Sequence, residues 1–569
     1  MAMPSLCSTL RPGLVNLPNS AAASSTLLEL LQRDVEQHHC FFNDFGFHNH
    51  LPHHLVAAYD MGATPALLRA IWDDEVTILR PIGRCGTDVE VGNWTERLGE
   101  HGAYGSYLAF FESQVVEHGP EKTILDYIMA PKANGNEAKM FARFLSGGRV
   151  SFCSSSPAYP TNSVHPLLQI GFGLEFGQNN MIAAGLAMTA VTSSRQPAFV
   201  LDSASGLPEP TAAPIQGMTL LQLLQEVYDS EVLHPVMPYD PNATITQRFE
   251  AFAADPARAE EIKRIYSKWW LSPDATQEEI NHKMKECLLQ STLLLVSSGK
   301  PERTPRLDFF LMHFVTSAIC LPSIVRMLPS VEAKNALLQG WVRAAALYLV
   351  LRGRPRVDAG LVMGFPEVPT PPGLTSLGPD ALGYKSKDVV VANPWLVVIQ
   401  NGLHHRDAHV IKTIRSFYYG AEHMPVLGTG TGGRGLGLEH IKGGERVDDS
   451  LWIRAAGIWQ WTIGGDAGGG AEFSILANAA APGMAAFYDV ATAGLGATYQ
   501  QLTMVDPSTV NFGIAANCVN ETSGSFFLSF EGNGYVLTSW AAQDGDTAAP
   551  VTLESYTGRA EQVWTSIPA

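Results

Sequence analysis

The sequence predicts a mainly α-helical protein: a large multi-helix domain with long loops, followed by a small β-rich region. Apolar residues recur at helical spacing through much of residues 1–463, whereas the alternation typical of strands is scarce there. The composition then changes, because all lysines and all arginines except Arg559 lie before residue 464. A glycine-rich stretch, GGDAGGG at 464–470, separates the two regions and has the composition of a flexible linker.

Five segments of the first region have the apolar spacing of helices. They are 24–39 behind a Ser/Thr cap, 54–72 as two helices around a glycine-containing break, 275–296, 309–328 and 335–353. Thr276 and Glu279 have the spacing of a capping box. Segment 309–328 is apolar almost all round, which predicts one buried helix. The proline-rich segments 198–245 and 354–395 are predicted to be loops.

The last region, 471–569, predicts a small acidic β-rich domain. It has one basic residue and nine acidic residues, so it carries −8 of the formal net charge of −17. Two strand-like runs surround a Gly-Asn-Gly turn within 525–540, which indicates a hairpin. The triplet QVW at 562–564 resembles the Q-x-W signature of ricin-type β-trefoil lectins. A full trefoil needs three such units and one is visible, so carbohydrate binding is the minor alternative for this region.

The charge and the cysteines exclude several classes of function. A formal charge of −17 without a basic run argues against nucleic acid as a partner. Seven scattered cysteines without a CxxC pair indicate reduced thiols. The first residues lack the pattern of a signal peptide, and no stretch has the length and apolarity of a membrane span. We therefore expect a cytoplasmic protein with no membrane partner.

No nucleotide cradle is visible in the sequence. The stretch GTGTGGRG at 428–435 contains Gly428, Gly430 and Gly433 at dinucleotide-site spacing. The residues before it look helical, and no acidic residue follows at the position that the ribose requires, so we predict a loop. Walker A and GxSxG motifs are absent from the sequence.

The stretch HNHLPHHL at 48–55 holds four of the 17 histidines. Pro52 suits the first turn of a helix, so His50 falls near the N-cap and His54 lies four residues later on the same face. These two could bind one metal ion, and neutral imidazole is expected beside the positive end of a helix. His53 points elsewhere. The alternative is a crowded but ordinary helix start.

The other candidate histidines lie far along the chain. His405, His409 and Lys412 share one helical stripe, which could equally be a solvated face. His165 and His313 lie in apolar segments and could be ordinary core residues. Burying several unpaired imidazoles is costly, however, so a shared metal ion is the alternative that satisfies them together. All-nitrogen sites suit Fe, Zn, Cu or Ni, and no facial-triad pattern is evident.

Five phrases resemble the questin-oxidase-like family of fungal and bacterial proteins, in the family's order, over roughly residues 38–457. They are FHNHLPHHLVAAYDMGA (47–63), NWTERLGEHGAYGSYLAFFE (93–112), VHPLLQIGFGLEF (164–176), FFLMHFVTSA (309–318) and DAHVIKTIRS (407–416). The resemblance implies an oxygen-using oxidoreductase of polyketide secondary metabolism that opens an anthraquinone-type ring. Two descriptions of the family apply, an NADPH-dependent Baeyer–Villiger-type monooxygenase and a dioxygenase with non-haem Fe(II) held by histidines and a carboxylated lysine.

The resemblance also implies roles for individual residues. The metal ligands would be His50 or His54, His165, His313 and His409, with Lys412 carboxylated; His409 and Lys412 would be the catalytic pair. The small-molecule substrate and O₂ would meet in a pocket lined by Tyr104, Tyr107, Phe110, Phe111 and Phe172, each of which could instead be ordinary core. On this basis residues 1–463 are the predicted catalytic domain. The alternative from another class is a catalytically silent helical binding protein.

Overall fold

Several helices begin at a side chain that caps them. Ser20, Thr64, Thr276 and Ser330 each accept a hydrogen bond from the backbone N–H three residues further on. Such a cap satisfies one of the donors that every helix leaves unpaired at its start. The computed structural model describes residues 10–464 apart from 44–45, 84–87, 136–137, 148–163, 202–205, 212, 239, 241–242, 301–304, 306, 370–390, 392 and 425–434, and beyond residue 464 the backbone of seven short segments.

The described residues up to 464 form a mainly helical unit, as the sequence predicts. The helices are α1 (Ala21–Gln37), α2 (Leu51–Asp60), α3 (Pro65–Glu75), α4 (Tyr104–His118), α5 (Pro120–Ile124), α6 (Pro131–Asn134), α7 (Met140–Phe144), α8 (His165–Phe176), α9 (Asn179–Val191), α10 (Arg195–Leu201) and α11 (Leu220–Asp229). They continue with α12 (Ile245–Ala253), α13 (Ala257–Tyr266), α14 (Gln277–Val296), α15 (Phe309–Ala318), α16 (Leu321–Met327), α17 (Val331–Leu351), α18 (Ala359–Met363), α19 (Pro394–Leu403), α20 (Ala408–His423) and α21 (Leu451–Gly464). Shorter helical turns are Val76–Ile78, His101–Ala103, Leu125–Met129, Leu438–His440 and Gly444–Arg446.

Four of these helices pack in a ring at the core of the helical unit. Helix α2 packs against α20, α20 against α15, α15 against α8, and α8 against α2. Every residue of α2 is buried, and so is nearly every residue of α8. Helices that are buried on all sides bring their few polar side chains into the interior. The polar residues of this ring are therefore the first place to look for a site.

The structure corrects four predictions about local structure. Segment 309–328 is not one helix but α15 and α16, which are bent by 46°, because Pro322 lacks the N–H that would continue the first helix. Thr276 caps α14 as predicted, but the Glu279 carboxylate accepts from the Ser272 N–H at 2.7 Å instead of completing a capping box. The two proline-rich segments contain helices α11 and α18 besides loops, since apolar periodicity over short stretches is hard to see between prolines. His405 lies before α20, which begins only after Asp407.

The chain divides into two compact units, the helical unit up to about residue 462 and a second unit from residue 463 onward. The described segments of the second unit are β1 (Ala485–Phe487), β2 (Thr503–Val505), β3 (Ile514–Asn520), β4 (Ser525–Phe530), β5 (Tyr535–Ser539), β6 (Val551–Ser555) and β7 (Trp564–Thr565). Strand β1 pairs with β2, and β3 to β6 pair in chain order, with β7 against β4; all pairs are antiparallel. The β-rich domain of 471–569 stays a prediction, since most of these residues lie outside the described ones. The linker residues 465–470 also lie outside the described residues, as do Gly428, Gly430 and Gly433.

Within the described residues, no single helix has both the length and the apolar composition to cross a membrane. The bent pair α15 and α16 passes that test only when the two helices are taken together.

Candidate metal centre

Four histidines from the four helices of the ring converge at one point. We call His50, His165, His313 and His409 the four-histidine cluster. Each offers one ring nitrogen, and these four atoms lie within 4.8 Å of one another. Neighbouring rings have centroids 4.6 to 5.1 Å apart around the cluster. Within the described part of the chain, no other group of three or more His, Cys, Asp or Glu side chains meets this spacing.

His50 is positioned by the start of α2. It is the N-cap residue, with Pro52 in the first turn as predicted, and its side chain makes no capping hydrogen bond. The neighbouring Asn49 accepts from the Leu51 N–H at 2.9 Å and donates to Asp34 on α1 at 2.9 Å. Because Asn49 takes the capping role, the His50 imidazole is left to face the cluster. Its Nε2 lies 3.0 Å from Nε2 of His165.

His165 begins α8 after an unusual backbone turn. Val164 has a φ of 52°, in the left-handed region that β-branched residues rarely adopt. This residue is buried, and its carbonyl accepts from the Leu168 N–H at 3.1 Å. Strained conformations of this kind persist where the surroundings determine them fully, and they cluster at functional sites. The turn thus fixes the direction in which His165 leaves the backbone.

His313 and His409 each have a partner on Nδ1 that orients the ring. Nδ1 of His313 donates to the Phe309 carbonyl at 2.7 Å. Nδ1 of His409 donates to the Asp407 carboxylate at 2.7 Å, and the same carboxylate caps α20 by accepting from the His409 N–H at 2.8 Å. A donor at Nδ1 leaves the lone pair on Nε2, which is the arrangement found in metal-bound histidines.

Burial keeps the cluster neutral. It lowers the pKa of the His50, His165 and His313 imidazoles well below their usual range. It also lowers the pKa of His409, although Asp407 opposes that shift. Burial lowers the pKa of the Lys412 ammonium to about 8, so the neutral amine is populated near neutral pH. Neutral imidazole is the form that binds metal ions.

These residues fit a bound divalent cation. Nε2 of His313, Nε2 of His409 and Nζ of Lys412 are buried and have no hydrogen-bond partner among the described residues. Leaving buried polar atoms unpaired is costly, and a metal ion would satisfy the imidazoles together.

His54, the alternative to His50, lies outside the four-histidine cluster. Its Nδ1 bonds the Glu75 carboxylate at the end of α3. Its Nε2 is buried and has no partner among the described residues. His48 stacks on the His165 ring at 4.2 Å, and His53 lies 6.2 Å from the same ring. These three histidines surround the four-histidine cluster without belonging to it.

The predicted pocket residues separate into two groups. Phe172 packs against His53, one of the histidines that surround the cluster, with ring centroids 5.5 Å apart. Phe110 and Phe111 instead meet Tyr127, at 5.5 and 5.3 Å. The Tyr107 hydroxyl donates to the Trp94 carbonyl. The Tyr104 ring packs on the ring of His39.

Two residues of the site were missed or misjudged from the sequence. Asp407 falls off the helical stripe of His409 and Lys412, yet as the N-cap of α20 it accepts a hydrogen bond from Nδ1 of His409 and so orients that ring. The signal was available, since Asp directly before an apolar periodic segment is a typical N-cap. Glu75 had no such signal, because its pairing with His54 joins two helices.

Comparison with known proteins adds a family. The model of the questin oxidase-like family matches residues 47–417. A Baeyer-Villiger oxidase of Pestalotiopsis microspora is 25% identical over 410 residues, which cover 69% of this chain and 80% of that protein. An oxidoreductase of Aspergillus parasiticus is 25% identical over 472 residues, or 79% and 85% of the two chains. A questin oxidase of Aspergillus fumigatus is 24% identical over 450 residues, or 77% and 88%.

Proposed function

Because the chain belongs to the questin oxidase-like family and is an oxidoreductase, we propose that it opens a ring of an anthraquinone-type aromatic polyketide with O₂. The reaction would take place at a non-haem Fe(II) held by the four-histidine cluster. One observation carries the proposal: four neutral imidazoles, three buried and one half-buried, converge within 4.8 Å. Bound iron would supply the activation of O₂ that ring cleavage requires.

The residues of the cluster have distinct tasks in this proposal. His50, His165, His313 and His409 are the ligands. The Phe309 carbonyl and Asp407 hold two of the rings in the tautomer that presents Nε2. Partners of this kind fix ring orientation and raise ligand basicity. His54 is the residue we leave out of the ligand set, because it is not one of the four histidines whose ring nitrogens lie within 4.8 Å of one another.

Lys412 is proposed to become a carboxylated lysine. Only a neutral amine attacks CO₂, forming a carbamate with release of a proton, and the pKa of Lys412 near 8 makes that form accessible. The four imidazoles bring no negative charge to a divalent cation, so an anionic oxygen one helical turn from His409 would complement them. The side chain is 1% exposed, which would protect the carbamate from hydrolysis.

Phe172 is the pocket residue that the surroundings favour. Its ring lies 5.5 Å from that of His53, and the Arg415 guanidinium lies 5.4 Å from the centroid of the Phe172 ring, so Phe172 is the aromatic candidate nearest to the histidines. A flat aromatic substrate would pack against such a ring. Tyr104, Tyr107, Phe110 and Phe111 have partners away from the four histidines and are better explained as core.

The decisive test combines metal analysis with a ring-opening assay. Purified protein should contain about one iron per chain, and an anthraquinone substrate should be cleaved with O₂ and without NADPH. When the reaction is run under ¹⁸O₂, the ring-opened product should contain ¹⁸O. Protein that binds no iron and that turns over only with NADPH would refute the proposal.

That outcome would favour the alternative, an NADPH-dependent Baeyer–Villiger-type monooxygenase. The names of relatives such as the Baeyer-Villiger oxidase of Pestalotiopsis microspora support it. Absence of both metal and turnover would instead favour a catalytically silent helical binding protein.

The arrangement of the whole chain is also a proposal. We place the catalytic domain at 1–463, a linker at 464–470 and a small β-rich domain at 471–569, with carbohydrate as the minor candidate ligand of the last. Expression of residues 1–463 alone should leave the ring-opening activity intact. A cytoplasmic location stays a prediction.

A further inference from the structure

Three charged side chains are buried between the helices that carry the cluster. Nε of Arg415 on α20 donates to the Asp60 carboxylate of α2 at 2.7 Å, and its Nη2 donates to Glu175 of α8. The side-chain exposures of Arg415, Asp60 and Glu175 are 0%, 0% and 2%. We call these residues the charged triad. Although burial opposes its charge, the two carboxylates raise the pKa of Arg415, whereas burial raises the pKa of the Glu175 carboxyl to about 7.

The charged triad joins the same three helices that hold three of the four histidines. Asp60 lies ten residues after His50, and Glu175 ten residues after His165. Along a helix that is a separation of about 15 Å. Helices α2, α8 and α20 are therefore connected at two levels, by the four-histidine cluster and by the charged triad. Two levels of contact determine the relative direction of the helices as well as their distance.

The segment before α1 adds three backbone donors to the charged triad. The Leu14 N–H donates to Glu175 at 2.7 Å, and the N–H groups of Val15 and Asn16 donate to Asp60 at 3.1 and 2.8 Å. We call residues 11–19 the N-terminal strap. A Cβ on Gly13 would lie 2.0 Å from the Asp60 carboxylate, so the close approach of the strap requires glycine there. The family match begins at residue 47, well after the strap.

We propose that the charged triad and the N-terminal strap position the four-histidine cluster and thereby set its affinity for a metal ion. The proposal rests on the metal site of the proposed function. Arg415 suits the task because a planar guanidinium can bind two carboxylates at fixed directions, which the point charge of a lysine cannot. In this role the three residues are positioning residues, and the strap is a part of the site that lies outside the family match.

The test compares two buried arginines in the full-length protein. Arg415→Lys keeps the charge and loses the fork. The control is Arg343→Lys on α17, where an arginine that is 1% exposed donates to Gln339 and to the Glu209 carbonyl. Metal-free protein is titrated with Co²⁺ and followed by visible absorption, which reports ligand geometry, and its thermal unfolding is recorded separately.

Both variants should unfold at lower temperature, but only Arg415→Lys should weaken Co²⁺ binding, by roughly tenfold or more, and alter the visible spectrum. Wild-type affinity and spectrum in Arg415→Lys would overturn the positioning role while leaving the metal site intact. Equal weakening in Arg343→Lys would overturn it as well, because general destabilisation would then explain both. Failure of the wild-type protein to bind Co²⁺ would refute the metal site itself, and the positioning role with it.

A milder pair of variants keeps the test usable if Arg415→Lys does not fold. Gly13→Ala pushes the strap away from Asp60, whereas Gly92→Ala places its Cβ in open space. Gly13→Ala should weaken Co²⁺ binding in the same direction as Arg415→Lys, and Gly92→Ala should not. Wild-type binding in Gly13→Ala would remove the N-terminal strap from the proposal.

Discussion

Two of the buried polar clusters in the helical unit, the four-histidine cluster and one around Glu286, differ in how their polar atoms are paired. The four-histidine cluster leaves Nε2 of His313 and of His409 without a hydrogen-bond partner among the described residues. The second cluster, which we call the Glu286 cluster, leaves no buried side-chain nitrogen or oxygen unpartnered. Its members are Trp269, Glu286, Asn335, Gln339 and Arg343.

Pairing in the Glu286 cluster uses groups of the protein alone. Glu286 accepts from the Leu220 N–H at 2.6 Å and from the Trp269 indole at 3.1 Å. Asn335 accepts from the Leu271 N–H at 2.7 Å, and Gln339 donates to the Tyr266 carbonyl at 3.1 Å. These contacts tie α11, α14 and α17 to the loop after α13.

The difference separates a structural polar cluster from a binding site better than burial does. Both clusters are almost fully buried, so burial alone would assign them the same role. The polar atoms of the Glu286 cluster are paired within the protein, whereas the four-histidine cluster keeps nitrogen lone pairs free for the metal ion that we propose. The predictions below change one cluster and use the other as the reference.

The largest effect is expected from loss of a ligand. His313→Ala should reduce iron affinity by roughly a hundredfold or more, because one of four ligand nitrogens is lost. Loss of only the hydrogen-bond partner of a ligating histidine already reduces metal affinity by roughly 10- to 100-fold. Ring-opening activity should fall with it. Elemental analysis after loading with Fe(II) measures the first effect, and circular dichroism checks that the helices persist.

His282→Ala is the matched control. This histidine lies on α14, and its side chain is 42% exposed. It contacts the Gly435 carbonyl at 2.9 Å and lies outside the four-histidine cluster. The iron content of His282→Ala should equal that of the wild type. Full iron content in His313→Ala, or equal loss in both variants, would contradict the assignment.

Removal of the metal should destabilise the protein by the free energy of binding. Iron that binds only the folded state stabilises it by roughly 3–4 kcal/mol when free Fe(II) exceeds its dissociation constant by a hundred- to a thousandfold. Thermal unfolding with and without a chelator measures the shift, and His313→Ala should abolish it. An unfolding temperature that does not change with the chelator in the wild-type protein would contradict a bound metal. The Glu286 cluster could not bind the iron instead, because its buried nitrogens and oxygens are already paired.

Much of the site was predictable because its signals are local. Pro52 predicted the start of α2 and hence the place of His50, and apolar surroundings marked His165 and His313 as buried. Buried histidines in several distant segments then implied a shared partner, and the resemblance to the family supplied the set. Helical periodicity likewise predicted α1, α14 and α17 within a few residues at each end.

What escaped prediction depends on contacts between distant segments. Periodicity puts His50 and His54 on one face of α2, but it cannot show that Glu75 from α3 binds His54. The charged triad joins residues 60, 175 and 415, and no local pattern relates them. The bend after Ala318 depends on how a single proline is accommodated, which apolarity alone does not reveal.

The Glu286 cluster should show a pH dependence of its own. Burial raises the pKa of the Glu286 carboxyl to about 7. The protonated carboxyl therefore contributes its full stabilisation below pH 4.3, roughly the pKa of Glu in the unfolded chain. This contribution to the free energy of unfolding, roughly 3 kcal/mol, is lost as pH rises through about 7. Glu286→Gln keeps an acceptor for Leu220 and Trp269 but does not ionise. The unfolding free energy of wild type relative to Glu286→Gln should thus fall between pH 4.5 and 7.5.

Urea unfolding at several pH values measures that difference, and the comparison cancels other titrating groups such as Glu175. A difference that stays constant with pH would mean that Glu286 is ionised in the folded protein throughout. Iron content should be the same in both proteins at each pH, since the Glu286 cluster is separate from the histidines.

The smallest effect tests the comparison between the two clusters directly, through the stability change of one variant in each. In metal-free protein, Gln339→Leu should cost about 1–3 kcal/mol, because the Trp269 carbonyl and Nε of Arg343 each lose a hydrogen bond to Gln339. His313→Leu, of similar volume, removes an Nε2 that has no partner among the described residues, and it also removes the Nδ1 hydrogen bond to the Phe309 carbonyl. The gain and the loss oppose each other, so stability should stay within about 1 kcal/mol of the wild type. Urea unfolding in the presence of a chelator gives both values. Equal losses in the two variants would mean that the His313 imidazole is satisfied without a metal ion, and the distinction between the two clusters would fail.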